Sequence, residues 1–326
     1  MSPIRPPTPP ASAPLPLTPP TPAMTSFDRR AFLKTSLLAG TALALARPPV
    51  TGASLPGEPV GLIDTNINLF DWPFRKLKYR DTAALVAKLR QHRVVEAWAG
   101  SFESLFHKDI NGVNERLAAE CRAHGAGLLR PFGTVNLAWP DWEEDLRRIH
   151  EFFKMPGVRI YPGYQPFDLS HPDLTRLLSA VRDRGLVLQV VFGLEDIRVH
   201  HPALHLVPVV AGPLVGALRA VPDARVQLLH FNGNAQGTDL QQLMTATSAC
   251  LDISRWEGNG VVGKMLGTAP DANRPFKVPL DRVLFGSHAP YFPVESAILR
   301  LIESPLDAGQ LHAIMQSNAR RLLTSV

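Results

Sequence analysis

Along this chain, short apolar runs that end in Gly, Asn or Pro alternate with amphipathic stretches whose apolar residues recur every three to four positions. Runs of the first kind read as strands buried on both faces, and the second kind as helices laid over them. The alternation predicts strands at 60–69, 94–100, 128–137, 157–164, 186–192, 225–231, 250–254 and 282–287. It predicts helices at 81–92, 112–124, 141–154, 171–184, 213–221, 238–248, 261–266, 294–303 and 308–324. Asp81 is placed as an N-cap, acidic residues open the helix at 141, and Gly185 ends the helix at 171–184. A long His- and Pro-rich loop spans 195–210. Eight strand-then-helix units suit an α/β protein with one closed (β/α)8 TIM barrel over 60–326. A doubly wound open sheet is the main competitor, but no Gly-x-Gly-x-x-Gly follows the first strand.

The N-terminus falls outside this pattern. Residues 1–23 are dominated by Pro, Thr, Ala and Ser, a composition that cannot bury a core. Residues 24–46 pair Arg29-Arg30 with Phe32-Leu33-Lys34 and an apolar run, which looks like a twin-arginine export signal with a small-x-small site at Ala44-Leu45-Ala46. The apolar run is too short for a stable membrane span, which needs about 20 residues. Met24 is a candidate start, 47–59 reads as a linker, and the mature protein is expected to be periplasmic or secreted.

Setting 1–46 aside changes the charge. The whole chain carries 34 basic and 29 acidic residues, a formal +5. Without Arg5, Arg29, Arg30, Lys34 and Asp28 the balance is 30 to 28, or +2. No basic run interleaved with aromatics is taken to survive, so no nucleic-acid partner is expected. Cys121 and Cys250 fall on an outer helix and an inner strand and are read as separate buried thiols.

In such a barrel, chemistry is sought at the C-terminal strand ends. Asp64, Asn66 and Asn68 alternate along the first strand and are expected to share one face. Arg159 and Tyr161 end the fourth strand. A guanidinium there suits bidentate capture of a carboxylate or phosphate, or else an internal ion pair with Asp252 or Glu96. Gln189 ends the fifth strand, His230 the sixth before Asn232-Gly233, and Asp252 and Ser254 the seventh before Arg255 and Glu257. His288 follows the eighth, and an imidazole with an ordinary pKa near 6.5 can act as acid or base at neutral pH. The plain alternatives are loop-capping asparagines and satisfied core histidines. His200, His201 and His205, with Glu195 and Asp196, are read as a solvated lid, and His107-Lys108-Asp109 as a border of the same pocket.

The segments Asp64-Thr65-Asn66-Ile67-Asn68, Gly157-Val158-Arg159-Ile160, Leu229-His230-Phe231-Asn232-Gly233, Gly286-Ser287-His288-Ala289-Pro290 and Asn318-Ala319-Arg320-Arg321-Leu322-Leu323 carry a family resemblance. Together they resemble the amidohydrolase-related (amidohydrolase 2 type) TIM-barrel family over essentially the whole mature length. In that family the first segment reads Asp-x-His-x-His and the last strand Gly-Ser/Thr-Asp-x-Pro, both supplying metal ligands. Here Asn66 and Asn68 replace the histidines, His288 replaces the aspartate, and the fifth strand offers Gln189 and Val191 where the family has a ligand His. His230 matches a ligand position. The resemblance thus leaves the cofactor open between none and a divalent metal such as zinc, with His230 and His288 as the remaining metal candidates.

The leading functional reading is an exported hydrolase or lyase acting on a small, anionic substrate. His288, His230 and Asp252 would be catalytic, and Asn66, Asn68, Arg159, Tyr161 and Gln189 would bind substrate. The alternatives are a ligand-binding relative that has lost catalysis and an ordinary metallohydrolase. The oligomeric state is open, a homo-oligomer included.

Overall fold

The computed structural model describes residues 61–204, 206–231, 238–272 and 276–324. The leader, signal and linker expected in 1–59, together with His205 and Asn232-Gly233, lie outside the described residues. Eight parallel strands run in sequence order: β1 Leu62–Leu69, β2 Val94–Ser101, β3 Leu129–Thr134, β4 Gly157–Ile160, β5 Val187–Val191, β6 Arg225–Leu229, β7 Cys250–Asp252 and β8 Val283–Leu284. The sheet closes on itself. Thr65 N–H donates to Phe285 C=O (2.9 Å), His288 N–H to Asn66 C=O (2.8 Å) and Asn68 N–H to Ala289 C=O (2.8 Å), so the chain just past β8 completes the seam with β1. This is the TIM barrel that the alternating pattern predicts.

Helices α1 Thr82–Gln91, α2 Ile110–His124, α3 Trp142–Glu151, α4 Leu174–Asp183, α5 Gly212–Ala220, α6 Thr238–Ala246, α7 Val261–Leu266 and α8 Val294–Ile302 fill the connections. The final stretch is α9 Ala308–His312, a π-helical turn Ala313–Ser317, and α10 Asn318–Thr324. Asp81 caps α1 as expected, its carboxylate accepting Ala84 N–H at 2.8 Å, and Glu143, Glu144 and Asp145 open α3. Asp109 caps α2 through Gly112 N–H (2.9 Å), which gives its backbone a defined structural task. Among the described residues no helix is long and apolar enough to cross a membrane. Cys121 on α2 and Cys250 on β7 are both buried, free thiols.

Parallel strands alternate between the barrel interior and the helix layer, and the interior is stacked in tiers. The lowest tier is apolar: Ile63, Trp98, Phe132, Val187, Cys250 and Leu284, closed from below by Ala319 and Leu322 of α10. Asn318 fastens that plug, donating to the carbonyls of Leu280 and Val283 at 2.8 Å each. The outward residues, such as Val158, Ile160, Leu188, Val190, Val226 and Leu228, bury themselves under the helices. Above the apolar floor the interior turns polar.

Candidate active site

The middle tier is built from Thr65, Arg159, Gln189 and Gln227, which the register sets side by side across β4, β5 and β6. Arg159 is 1% exposed and so must satisfy its N–H groups internally. Nε donates to Gln189 Oε1 (2.8 Å), Nη1 to Ile67 C=O and Asn68 Oδ1 (2.9 Å each), and Nη2 to Trp98 C=O (3.3 Å). Gly100 makes room for it: a Cβ there would come within 2.4 Å of Nη1. Gln189 continues the chain to Thr65 C=O and Gln227 Oε1 (2.8 Å each), and Gln227 to Thr65 Oγ1 (2.6 Å). Tyr161, fully buried, donates to Ser101 C=O (3.3 Å). The expected internal ion pair does not form. Glu96 instead meets Arg130 (2.6 Å) and Trp98 Nε1 (2.9 Å), and Arg159 spends its donors on neutral oxygens. Burial lowers the guanidinium pKa and raises that of Tyr161. Arg159 therefore organises the tier, and its donors are already occupied where a substrate carboxylate was expected.

The top tier brings Asn66, Asn68, His230, Asp252, Ser254 and His288 together, with every one of these side chains buried. The imidazoles of His230 and His288 meet edge to face at 4.0 Å between ring centroids. Both histidines sit on left-handed backbone, at φ 59° and 62°, a conformation that is uncommon for residues with a Cβ and concentrates at functional sites. A directed hydrogen-bond chain fixes the His288 ring. Arg159 holds Asn68 Oδ1, so Asn68 Nδ2 faces His288 Nδ1 at 3.4 Å, and His288 Nε2 donates to Leu194 C=O at 2.8 Å. The carbonyl only accepts, so Nε2 carries the proton and Nδ1 the lone pair.

Asp252 fixes the second amide. Its Oδ2 accepts from Asn66 Nδ2 (2.6 Å) and its Oδ1 from His230 N–H (3.0 Å). Asn66 Nδ2 also lies 3.3 Å from His230 Nε2, while Ser254 Oγ is 3.0 Å from Nδ1. Gly286 permits this closeness: a Cβ there would meet Asp252 Oδ2 at 2.7 Å and Asn66 Cβ at 3.0 Å.

The alternation expected along β1 is broken. A register shift between Asp64 and Ile67 places Thr65, Asn66 and Asn68 in the interior, while Asp64 turns into the β1–β8 seam. There its Oδ1 accepts Ser287 N–H (3.0 Å) and Asn66 N–H (3.1 Å), and its Oδ2 is buried without a hydrogen-bond partner.

Burial reverses the proton inventory that the sequence suggests. Desolvation pushes the His288 imidazole down to about 3, and His230 well below its usual value, with the neighbouring His288 adding to the effect. Desolvation raises the carboxyls, Asp64 to about 7 and Asp252 to about 6, against the hydrogen bonds that favour their ionised forms. Around neutrality the imidazoles are neutral, Asp64 is close to half protonated, and Asp252 is mainly ionised with a minor protonated fraction.

Metal held by His230 and His288 does not fit this donor set. Asn66 and Asn68, at positions where the resemblance implies imidazoles, aim N–H groups at the two histidines, and a cation needs lone pairs there. The protonated His288 Nε2 is committed to a carbonyl. Among the described residues no three His, Cys, Asp or Glu side chains gather with metal-binding spacing.

A roof covers the tier. Leu194 is fully buried and Glu195 7% exposed, so the start of the loop expected to be a solvated lid is packed. Tyr164 Oη accepts Leu194 N–H (2.8 Å), and Tyr291, stacked on His288 at 4.9 Å, donates its hydroxyl to Glu195 Oε2. Further along, His200 approaches Glu195 C=O, His201 stacks on Phe74, and Asp196 pairs with Arg198. His107 is not part of this cluster but lines a separate cavity of about 780 Å3 with Phe70, Phe74, Glu103 and Phe106. Sequence reasoning missed three roof residues, Tyr164, Leu194 and Tyr291. It also passed over Phe74-Arg75-Lys76-Leu77-Lys78-Tyr79-Arg80, a basic run interleaved with aromatics within the mature chain.

Residues 64–324 match the family model described as Amidohydrolase (Amidohydro_2). No curated protein shows a significant sequence match to the chain. Among solved structures it is similar to 2,6-dihydroxybenzoate decarboxylase from Rhizobium (16% identity, TM-score 0.58, 81% of this chain and 98% of that one). It is also similar to 5-carboxyvanillate decarboxylase from Sphingomonas paucimobilis (12%, 0.59, 81% and 99%). A third is dihydroxybenzoic acid decarboxylase from Polaromonas sp. JS666 with manganese and an inhibitor bound (13%, 0.58, 81% and 96%). At such identities the likeness establishes the fold.

Proposed function

The chain belongs to the amidohydrolase family across residues 64–324 and is an enzyme of that superfamily; on that premise we propose that it is a hydrolase or lyase acting on a small anionic substrate at the centre of its barrel. The observation that carries this reading is the convergence of two neutral imidazoles, two amides and a protonatable carboxyl from β1, β6, β7 and β8 on one buried point. Hydrolysis needs a proton acceptor for the attacking water and a donor for the leaving group, whereas decarboxylation needs a proton delivered to the ring carbon as carbon dioxide leaves. His288 Nδ1 is the acceptor, its lone pair aimed by Asn68 and its other nitrogen anchored on Leu194. Asp252, raised to about 6 and so protonated in a minor fraction of molecules at neutrality, is the donor in that form, and His230 and Ser254 stand beside it.

The solved neighbours favour the lyase arm, because those named above are decarboxylases of aromatic carboxylates. Loss of carbon dioxide leaves a carbanion that must take a proton, and a protonated Asp252 supplies one. No step is routed through a metal. Substrate reaches the site when the Leu194–Glu195 roof moves, since the top tier is buried beneath it.

The test is turnover on a panel of hydroxybenzoates, including 2,6-dihydroxybenzoate, with lactones and amides alongside. The reading expects product from at least one class and its loss in His288→Asn. Asn66, Asn68 and His288 at positions where the family resemblance implies metal ligands favour a second reading, a binding protein without turnover. Ligand-dependent thermal stabilisation with no product from any panel member would select it. We further propose twin-arginine export of the mature chain from Arg29-Arg30. Periplasmic recovery that disappears in Arg29→Lys/Arg30→Lys supports it, and unchanged recovery refutes it.

A further inference from the structure

Beside the roof, a cavity of about 290 Å3 opens between the chain after β1, helix α1 and the chain after β8. Its wall is apolar and aromatic, with Leu77, Tyr79, Leu85 and Phe292 among the lining residues. Its rim is cationic: Arg75, Lys76, Lys78 and Lys88 line it against one acid, Glu295. Glu295 is already paired with Lys88. Among the described residues no carboxylate pairs with Arg75, Lys76 or Lys78, although the rest of the mature chain is close to neutral. Arg75 is held in place, its Nη2 donating to Tyr291 C=O (2.8 Å) and its guanidinium lying 4.0 Å over the Tyr291 ring.

Uncompensated cations around a greasy hollow raise the local concentration of anions and hold those with an apolar body. The volume is ample for a single-ring molecule. We propose that this cavity is a binding site for one-ring aromatic carboxylates, with the carboxylate on Arg75 and Lys78 and the ring against Phe292 and Leu77. It shares one residue, Tyr291, with the buried tier. The other face of that residue's surroundings is the His288 ring, stacked at 4.9 Å. The assignment concerns binding alone and is independent of what the buried histidines do.

The probe is benzoate, titrated by calorimetry into the full protein, with benzamide as the uncharged control. Benzoate is expected to bind at least about tenfold more tightly than benzamide, the worth of one charge-assisted contact, and to weaken with added salt. Arg75→Gln is expected to weaken benzoate by about tenfold, and Lys76→Gln/Lys78→Gln, which removes no tertiary hydrogen bond shown here, by a similar factor at unchanged Tm. A crystal soaked with 4-bromobenzoate is expected to place bromine beside Phe292, which separates this site from the buried one. Equal binding of benzoate and benzamide, no benzoate binding, or wild-type affinity in both lysine and arginine variants would overturn the proposal. So would a crystal soaked with 4-bromobenzoate that places bromine away from Phe292. A short oligonucleotide that displaces benzoate at lower concentration than benzoate binds itself would assign the patch to nucleic acid instead.

Discussion

His230 and His288 meet ring to ring, 4.0 Å apart, and each is carried on left-handed backbone at the end of its strand. A strand that only filled a barrel has no need to turn that way. Two such residues in contact imply that the surrounding structure holds them there, against a strain of about 1–3 kcal/mol each.

That strain gives a test free of any substrate. Asn tolerates the left-handed region, and a β-branched residue does not. His288→Val is expected to be about 1–3 kcal/mol less stable than His288→Asn in urea unfolding. Equal stabilities would mean that the backbone at 288 is not held at positive φ.

Asp64 predicts a pH effect of defined sign. Its pKa rises from 3.8 to about 7 on folding, chiefly through burial, so the folded protein binds the proton more tightly than the unfolded chain. Stability contributed by this group falls as pH rises through 3.8 to 7, by an amount on the order of 4 kcal/mol once complete. The buried histidines act oppositely: His288, lowered to about 3, withdraws stability as pH falls below 6.5. Asp64→Asn isolates the first effect. Relative to wild type it should gain stability between pH 4 and pH 8, measured as the shift in urea midpoint at each pH. An offset that is the same at both would contradict the raised pKa.

Arg159 is expected to behave as a structural keystone. Arg159→Met leaves the oxygens of Gln189, Asn68, Ile67 and Trp98 without their donor in a dry interior. A loss of at least about 3 kcal/mol in unfolding free energy should follow. A variant with wild-type stability and only a raised KM would return Arg159 to the role of substrate anchor.

Gly286→Ala tests how tightly Asp252 and Asn66 are held. The added methyl would sit 2.7 Å from Asp252 Oδ2, so the pair must part or the seam must shift. A destabilisation of about 1–3 kcal/mol is expected, with turnover reduced more than the fold. Unchanged stability and turnover would show that the contact is slack.

The barrel was legible in the sequence because a parallel strand buried on both faces is apolar along most of its length, as in Val187–Val191, where Gln189 alone is polar. The convergence of Asn66, Asn68, His230, Asp252 and His288 was legible too, since each stands at a strand end. Three things were not. The irregularity in β1 that sends Asp64 into the seam leaves no mark on an alternating pattern, because Thr65 and Asn66 are both polar. The burial of Leu194 and Glu195 was hidden by the polar loop that follows them. The lowered imidazole pKa values depend on burial beneath a roof in which Tyr291, three residues after His288, is joined by Tyr164 and Leu194, far from either histidine in the sequence.

The central claim is that the chemistry of the barrel runs on His288 and Asp252 without a metal. Its most direct measurement is turnover by wild type and His288→Asn side by side, after dialysis against chelator, on whichever panel compound the wild type converts. The account predicts wild-type conversion that survives dialysis and a rate at least about a hundredfold lower in the variant, with both proteins folded. Conversion by His288→Asn at the wild-type rate, or wild-type activity that vanishes on dialysis and returns with added metal, would contradict it.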